Sequence, residues 1–196
     1  MENIIESSLQ NSLSYTEYRS LVLDLLAEGK STGDNQTESY FNYSKLGNAR
    51  MKRLDKTFEL SEESKKVIDD SQNKYTWIVL TEGWCGDAAH ALPIMDKISR
   101  ISKNIDLKIV LRDENEALMN QFLTNGSKSI PKLVAIDSKT NEVVKTWGPR
   151  PSLATKMVND YKDVNGSLDP QFKEELQVWY NKNKGKNIEN DMLSLL

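Results

Sequence analysis

The residue best suited to chemistry in this sequence is Cys85, which is the only cysteine in the chain. It follows an apolar run that begins at Tyr75 and is typical of a strand buried on both faces. After a break at Glu82-Gly83, a helical pattern begins at Gly86, so Cys85 lies over the first turn of a helix. Unpaired backbone N–H groups and the positive end of the helix dipole stabilise a thiolate there. We therefore predict that Cys85 is a reactive thiol whose pKa is modestly lowered.

Two considerations oppose this prediction. Asp87 brings a negative charge near the sulfur, but residues two apart on a helix do not face each other, so we expect its effect on the pKa to be small. A cysteine at this position can also act as a small hydrophobic residue that fills the junction between strand and helix. The sequence leaves this second interpretation of Cys85 open.

Several other residues are weaker candidates. His90 lies about 140° around the helix from Cys85, so the two side chains diverge, and we predict a histidine at the surface or at the edge of the core. Trp84 is either an exposed contact for partners or a lid over the edge of the sheet. Arg150 can hold a substrate carboxylate, pair with Asp87 or remain in solvent. We interpret a basic cluster as a solvated helix face rather than a binding patch; it consists of Arg50, Lys52, Arg53 and Lys56.

Composition narrows the classes of function. The net charge of −3 is spread over both signs, which gives no indication of a nucleic-acid surface. No apolar run is long enough to span a bilayer, and the N-terminus has no pattern of a secretory signal. A single cysteine excludes a disulfide within the chain. We expect a cytoplasmic protein. No metal-ligand cluster, phosphate-binding loop or Ser-His-Asp arrangement is present, so we predict no metal and no bound cofactor.

The hydrophobic pattern predicts a helical N-terminal extension, residues 1–72, and then alternating strands and helices. In this second part we predict strands over 76–81, 107–111, 132–136 and 143–147, and helices over 86–102, 114–123, 152–161 and from 170 onward. The polar tail from Asn181 is expected to fray. We predict an α/β fold, a four-stranded mixed sheet flanked by helices, over 73–162. We expect residues 163–196 to form a C-terminal helix and tail packed on that domain.

Four short features resemble the thioredoxin superfamily. Trp84-Cys85-Gly86 is similar to the start of its Trp-Cys-Gly-Pro-Cys site, Pro93 to the proline that kinks its active-site helix, and Ser129-Ile130-Pro131 to its cis-proline loop. Gly148 is similar to the glycine that lets the backbone approach the site. The segments TEGWCGDAA, LRDEN, SIPKL and TWGPRP together resemble a bacterial group of uncharacterised thioredoxin-family proteins with a single cysteine. The resemblance implies a thioredoxin-like fold with Pro131 cis and close to the sulfur.

The sequence also departs from that family. The second cysteine of the site is replaced by Ala88, the proline between the two cysteines by Asp87, and the buried acid that assists proton transfer by Val79. A dithiol cycle within one chain is therefore impossible.

Three functions are compatible with the resemblance. The first is a monothiol thiol–disulfide oxidoreductase, in which Cys85 attacks mixed disulfides of proteins or small molecules. An external thiol, glutathione or another low-molecular-weight thiol, then completes the exchange as co-substrate. The second is a redox-inactive module that binds a peptide or protein. Redox sensing by sulfenylation of Cys85 is a third possibility.

We predict substrate contacts at Trp84, Ile130, Pro131, Gly148 and Arg150, with the site shaped by Gly86, Asp87, Ala88 and Pro93. No nucleic-acid or membrane partner is expected, and the oligomeric state is left open.

Overall fold

The computed structural model describes all residues, 1–196. Four strands form one sheet in the order β2-β1-β3-β4. They are β1 (Tyr75–Thr81), β2 (Ile105–Leu111), β3 (Lys132–Asp137) and β4 (Val143–Trp147). β1 runs parallel to β2, whereas β3 is antiparallel to both β1 and β4. The predicted α/β fold with a four-stranded mixed sheet is confirmed.

Nine helices surround the sheet. They are α1 (Glu2–Gln10), α2 (Tyr15–Ala27), α3 (Glu38–Thr57), α4 (Glu62–Asp70), α5 (Ala88–Ile101), α6 (Glu116–Met119), α7 (Ser152–Asn165), α8 (Pro170–Asn183) and α9 (Lys186–Leu193). Side-chain caps explain several starts, because Ser14, Ser61 and Asp169 each accept a backbone N–H of the following turn. No helix is both long and apolar enough to cross a membrane.

The N-terminal helices pack against the sheet edge and α5. Leu13 forms an isolated antiparallel bridge with Ile109, and the two hydrogen bonds of 2.8 Å cover part of the exposed edge of β2. α3 packs along α5, and at Gly47 it lies close to the turn before α5, since a Cβ at that position would lie 3.1 Å from the Gly83 carbonyl oxygen. The division of the chain into three segments stays a prediction.

The C-terminal tail is ordered, so the prediction that it frays is wrong. Residues beyond α8 form α9, in which Ile188 and Met192 are almost completely buried. Gly185 allows the turn between α8 and α9, because its φ is +85° and a Cβ there would lie 2.5 Å from Ile94 Cδ1. Glu189 is buried and accepts the Ser61 backbone N–H at 3.0 Å. The polar sequence of the tail is compatible with an ordered helix, because some of its polar side chains make buried contacts.

α6 is also shorter than predicted. It spans four residues instead of the predicted ten, because the chain turns after Met119 and forms a small bridge between Thr124 and Ser127. The apolar residues that suggested a longer helix include Phe122, which packs against the core from outside the helix.

We predict that Met192→Ala lowers the free energy of unfolding by about 2–5 kcal/mol, because it leaves a cavity under a fully buried side chain. The change is measured by urea unfolding. Val164→Ala is the control: Val164 is 83% exposed, so its substitution should change stability by no more than about 0.5 kcal/mol. Equal effects of the two substitutions would show that α9 does not contribute to the core.

Candidate functional site

Cys85 lies in the turn between β1 and α5, three residues before α5 begins. Its Sγ accepts a hydrogen bond from the Ala88 backbone N–H at 3.4 Å and donates one to the Ile130 carbonyl oxygen at 3.3 Å. The residue is only 6% exposed. The sulfur is therefore held between the helix start and the loop that precedes β3, with its S–H proton engaged.

The prediction that the Cys85 pKa is lowered is wrong. Burial of the thiol, and next the charge of Asp87, raise its pKa to about 12, although backbone N–H groups and Arg150 act in the opposite direction. At pH 7 only roughly one thiol in 10⁵ would be ionised at such a pKa. The position beside a helix start was correctly recognised, but the burial that outweighs it depends on side chains far away in sequence.

The loop opposite the sulfur contains a cis peptide bond between Ile130 and Pro131, and a second cis bond joins Gly148 to Pro149. Gly148 has a φ of +111°, and a Cβ there would lie 2.1 Å from the Pro131 carbonyl oxygen. Only glycine permits this approach of the two backbones. The backbone N–H of Ile130 has no hydrogen-bond acceptor in the protein.

Asp87 is held by residues from two distant elements. Its Oδ2 lies 2.9 Å from Arg150 Nε, and its Oδ1 accepts the Tyr180 hydroxyl at 2.8 Å. The Asp87 side chain is only 13% exposed, so burial raises its pKa, while Arg150 and the Tyr180 hydrogen bond favour the charged form. Of the roles considered for Arg150, the structure has it paired with Asp87.

His90 is buried, contrary to the expectation of a surface or core-edge position. Its ring stacks on Tyr180, with centroids 4.2 Å apart and planes within 3°, and its Nε2 lies 3.2 Å from Gln177 Oε1. Burial lowers the pKa of His90 to about 4, so the imidazole is neutral at pH 7. The sequence contains no signal for this stacking, because Tyr180 and Gln177 come from α8.

Trp84 lies between two polar-tipped side chains. Its ring meets Tyr40 of α3 edge-on, with centroids 4.8 Å apart, and the Arg112 guanidinium lies 4.9 Å from the ring centroid. These contacts leave Trp84 half-buried. It is neither fully exposed nor a free lid, and the N-terminal segment contributes to its position.

The remaining site-shaping residues lie in or next to α5. Ala88 and Pro93 are buried within the helix, Gly86 is half-buried, and Val79 is completely buried in β1. A buried acid that the sequence interpretation missed is Glu82, whose Oε1 accepts the Asp113 backbone N–H at 3.0 Å and whose pKa is raised by burial. No group of three or more His, Cys, Asp or Glu side chains is placed to hold a metal ion.

We predict opposite effects of two substitutions on the reactivity of Cys85. Asp87→Asn removes the negative charge and should lower the pKa of the thiol, whereas Arg150→Gln removes the compensating cation and should raise it. The thiol pKa is obtained from the pH dependence of the rate of alkylation by iodoacetamide, because the rate at a single pH also depends on access to a residue that is only 6% exposed. Changes in the same direction for both variants would exclude this electrostatic explanation.

We also predict a pH dependence of stability from His90. Its pKa is lower in the folded chain, so its stabilising contribution is complete above about pH 6.5 and is lost as the pH falls toward about 4. The loss amounts to about 3 kcal/mol. Urea unfolding of wild type and His90→Gln at several pH values isolates this term, since only the wild type should lose it. Parallel pH profiles would contradict a neutral, buried imidazole.

The comparisons with known proteins agree with this fold. The family model described as thioredoxin matches residues 33–162. The crystal structure of a protein of unknown function from Pseudomonas aeruginosa is similar, with a TM-score of 0.59 and 17% identity over 93% of this chain and 96% of that chain. The crystal structure of an HIV epitope scaffold is similar with a TM-score of 0.57 and 16% identity, over the same shares of the two chains. At these identities the solved structures show the fold alone.

No curated protein is significantly similar to the chain. The family assignment therefore depends on the matched model together with the four-stranded sheet around Cys85. Since that model covers more than half of the residues, the chain belongs to the thioredoxin family.

Proposed function

We propose that this protein is a thioredoxin-fold module that binds an extended segment of a peptide or protein, with Cys85 neutral in the resting state. The observation that carries the proposal is that the Ile130 backbone N–H has no hydrogen-bond acceptor in the protein. Ile130 lies in the loop that faces the Cys85 sulfur. A free backbone donor beside a strand end is what an added extended segment pairs with.

The neighbouring groups support this mode of binding. The bound segment accepts the Ile130 N–H and donates its own N–H to the Ile130 carbonyl oxygen, which Cys85 Sγ occupies in the free protein. Trp84 is half-buried and offers an aromatic surface next to the same turn.

We further propose a cytoplasmic location, and membership of the bacterial group with a single-cysteine Trp-Cys-Gly-Asp-Ala site.

A second candidate is the monothiol oxidoreductase, and the hydrogen bond from Ala88 N–H to Sγ favours it because this donor stabilises a thiolate. The deprotonated Cys85 would attack one sulfur of a mixed disulfide, forming a new S–S bond and releasing the other sulfur as a thiolate. The thiolate of a low-molecular-weight thiol such as glutathione would then attack the sulfur that is bound to Cys85. A new disulfide forms between those two sulfurs, and Cys85 is released as the thiolate. The raised pKa of Cys85 opposes this function in the free protein. Sulfenylation requires the same thiolate.

Substitution of Cys85 by Ser distinguishes the two functions. We expect Cys85→Ser to bind an extended peptide, selected from a random library on the wild type, with an affinity within about threefold of the wild type, since the Ile130 backbone is unchanged. Peptide titration monitored at the Ile130 amide resonance measures this. Reduction of a glutathionylated substrate by wild type and not by Cys85→Ser, together with loss of peptide binding, would favour the oxidoreductase instead.

A pair of glycine substitutions serves as the control for the position of binding. Gly148→Ala brings a methyl group against the Pro131 carbonyl and should weaken peptide binding, whereas Gly126→Ala, also at positive φ but with nothing within 4 Å, should not. Both substitutions strain the backbone, so equal weakening would show that the effect is general. Circular dichroism verifies that each variant folds.

A further inference from the structure

Two side chains from outside the sheet approach Gly86, the residue that follows Cys85. A Cβ built on Gly86 would lie 3.3 Å from Arg50 Nη1 and 4.0 Å from Gln177 Nε2. Arg50 belongs to α3 and Gln177 to α8, so helices from both ends of the chain bring donor nitrogens to the same side of the Cys85 turn. A side chain at residue 86 would occupy part of the space between them.

The guanidinium of Arg50 has no partner in the protein. It makes no hydrogen bond to a side chain and no ion pair within 4.0 Å, although the residue is half-buried and burial lowers its pKa. The acid that acts on it, Asp87, is already engaged by Arg150 and by the Tyr180 hydroxyl. Arg53 adds a second positive charge nearby and is hydrogen-bonded to Asn181. A partly desolvated cation without a counter-charge favours an anionic ligand.

The amide of Gln177 is oriented by His90. The imidazole is neutral, and when its Nε2–H donates to Gln177 Oε1, the NH₂ group of the amide is directed elsewhere. This NH₂ group has no acceptor in the protein and is the atom nearest to Gly86 on that side. The stacking of His90 on Tyr180 keeps the imidazole in place. Thus two donors without a partner in the protein, one charged and one neutral, lie beside the sulfur-bearing turn.

We propose that Arg50 and Gln177 form a subsite for a single carboxylate next to Cys85, and that this subsite selects an acidic residue in the extended segment bound at Ile130. One guanidinium and one amide match the two oxygens of a carboxylate. A dianion such as a phosphate monoester is disfavoured, because the carboxylate of Asp87 lies close by. The proposal rests on the proposed function for its ligand, and it adds the specificity of that ligand.

The test compares two extended peptides that differ only by Glu or Gln at the selected position. Removing the charge by Arg50→Gln should weaken binding of the Glu peptide about tenfold, which is the loss expected for one charge-assisted hydrogen bond, and leave the Gln peptide unchanged. Arg50→Lys should retain part of the preference. The preference of the wild type should also decrease as salt is raised, since the subsite is only half-buried.

Arg53→Gln is the matched control. It removes the same charge one turn along α3, from a side chain that is bound to Asn181, and it should change the Glu preference less than Arg50→Gln does. Equal losses for the two variants would indicate a diffuse positive field and overturn the subsite. A wild type without preference for the Glu peptide would overturn it as well.

A second probe separates failure of the subsite from failure of the proposed function. S-methylglutathione and its dimethyl ester are titrated into Cys85→Ser while the Gly86 amide resonance is followed. We expect a shift with the free acid, no shift with the ester, and loss of the shift in Arg50→Gln. If no peptide binds but this shift occurs, the peptide-binding function fails and the carboxylate subsite stands, with a small thiol derivative as its ligand. If the free acid causes no Arg50-dependent shift, the subsite is overturned.

Discussion

The partly buried ion pair between Asp87 and Arg150 is the interaction on which the rest of the site depends. It joins the start of α5 to the loop after β4, and the Tyr180 hydroxyl ties α8 to the same carboxylate. Removal of one member of the pair is destabilising, because the remaining charge is left partly buried without its partner. Three segments far apart in sequence are therefore held together at the residue that follows Cys85-Gly86. Tyr180 also stacks on His90, and Gln177 lies on the same helix, so the pair is linked to both residues through α8.

The same carboxylate decides the electrostatics of the thiol. A cysteine before a helix normally gains acidity from the helix N–H groups, and Ala88 does supply one here. Burial and the charge of Asp87 outweigh that gain, and the neutral S–H instead donates to Ile130. In the proposed binding mode, the Cys85 S–H therefore occupies the Ile130 carbonyl oxygen that an incoming segment would use. A segment that binds there would displace the Cys85 S–H from the Ile130 carbonyl oxygen, so binding would also free the sulfur to react.

The segments outside the sheet complete this environment. α3 contributes Tyr40 to the contacts of Trp84 and Arg50 to the surroundings of Gly86, and α8 contributes Tyr180 and Gln177. α9 packs beside α5, so that both ends of the chain contribute to the helix that carries the site. The basic cluster on α3 was interpreted from sequence as a solvated face, but its members differ in exposure. Arg50 turns partly inward, and Lys52 and Lys56 remain exposed.

Local patterns in the sequence were sufficient to predict the sheet, most helices and the position of Cys85. The apolar runs of the strands and the caps at Ser14, Ser61 and Asp169 each involve residues that are close together in sequence. They also indicated the loop at Pro131 and the glycine at 148 through resemblance. The ionisation state of Cys85, the burial of His90 and the order of α9 could not be read in the same way. Each is set by residues from remote elements, and desolvation depends on how those elements enclose a group in three dimensions. The sequence by itself determined where the thiol is located, and only the tertiary structure decided that it stays protonated.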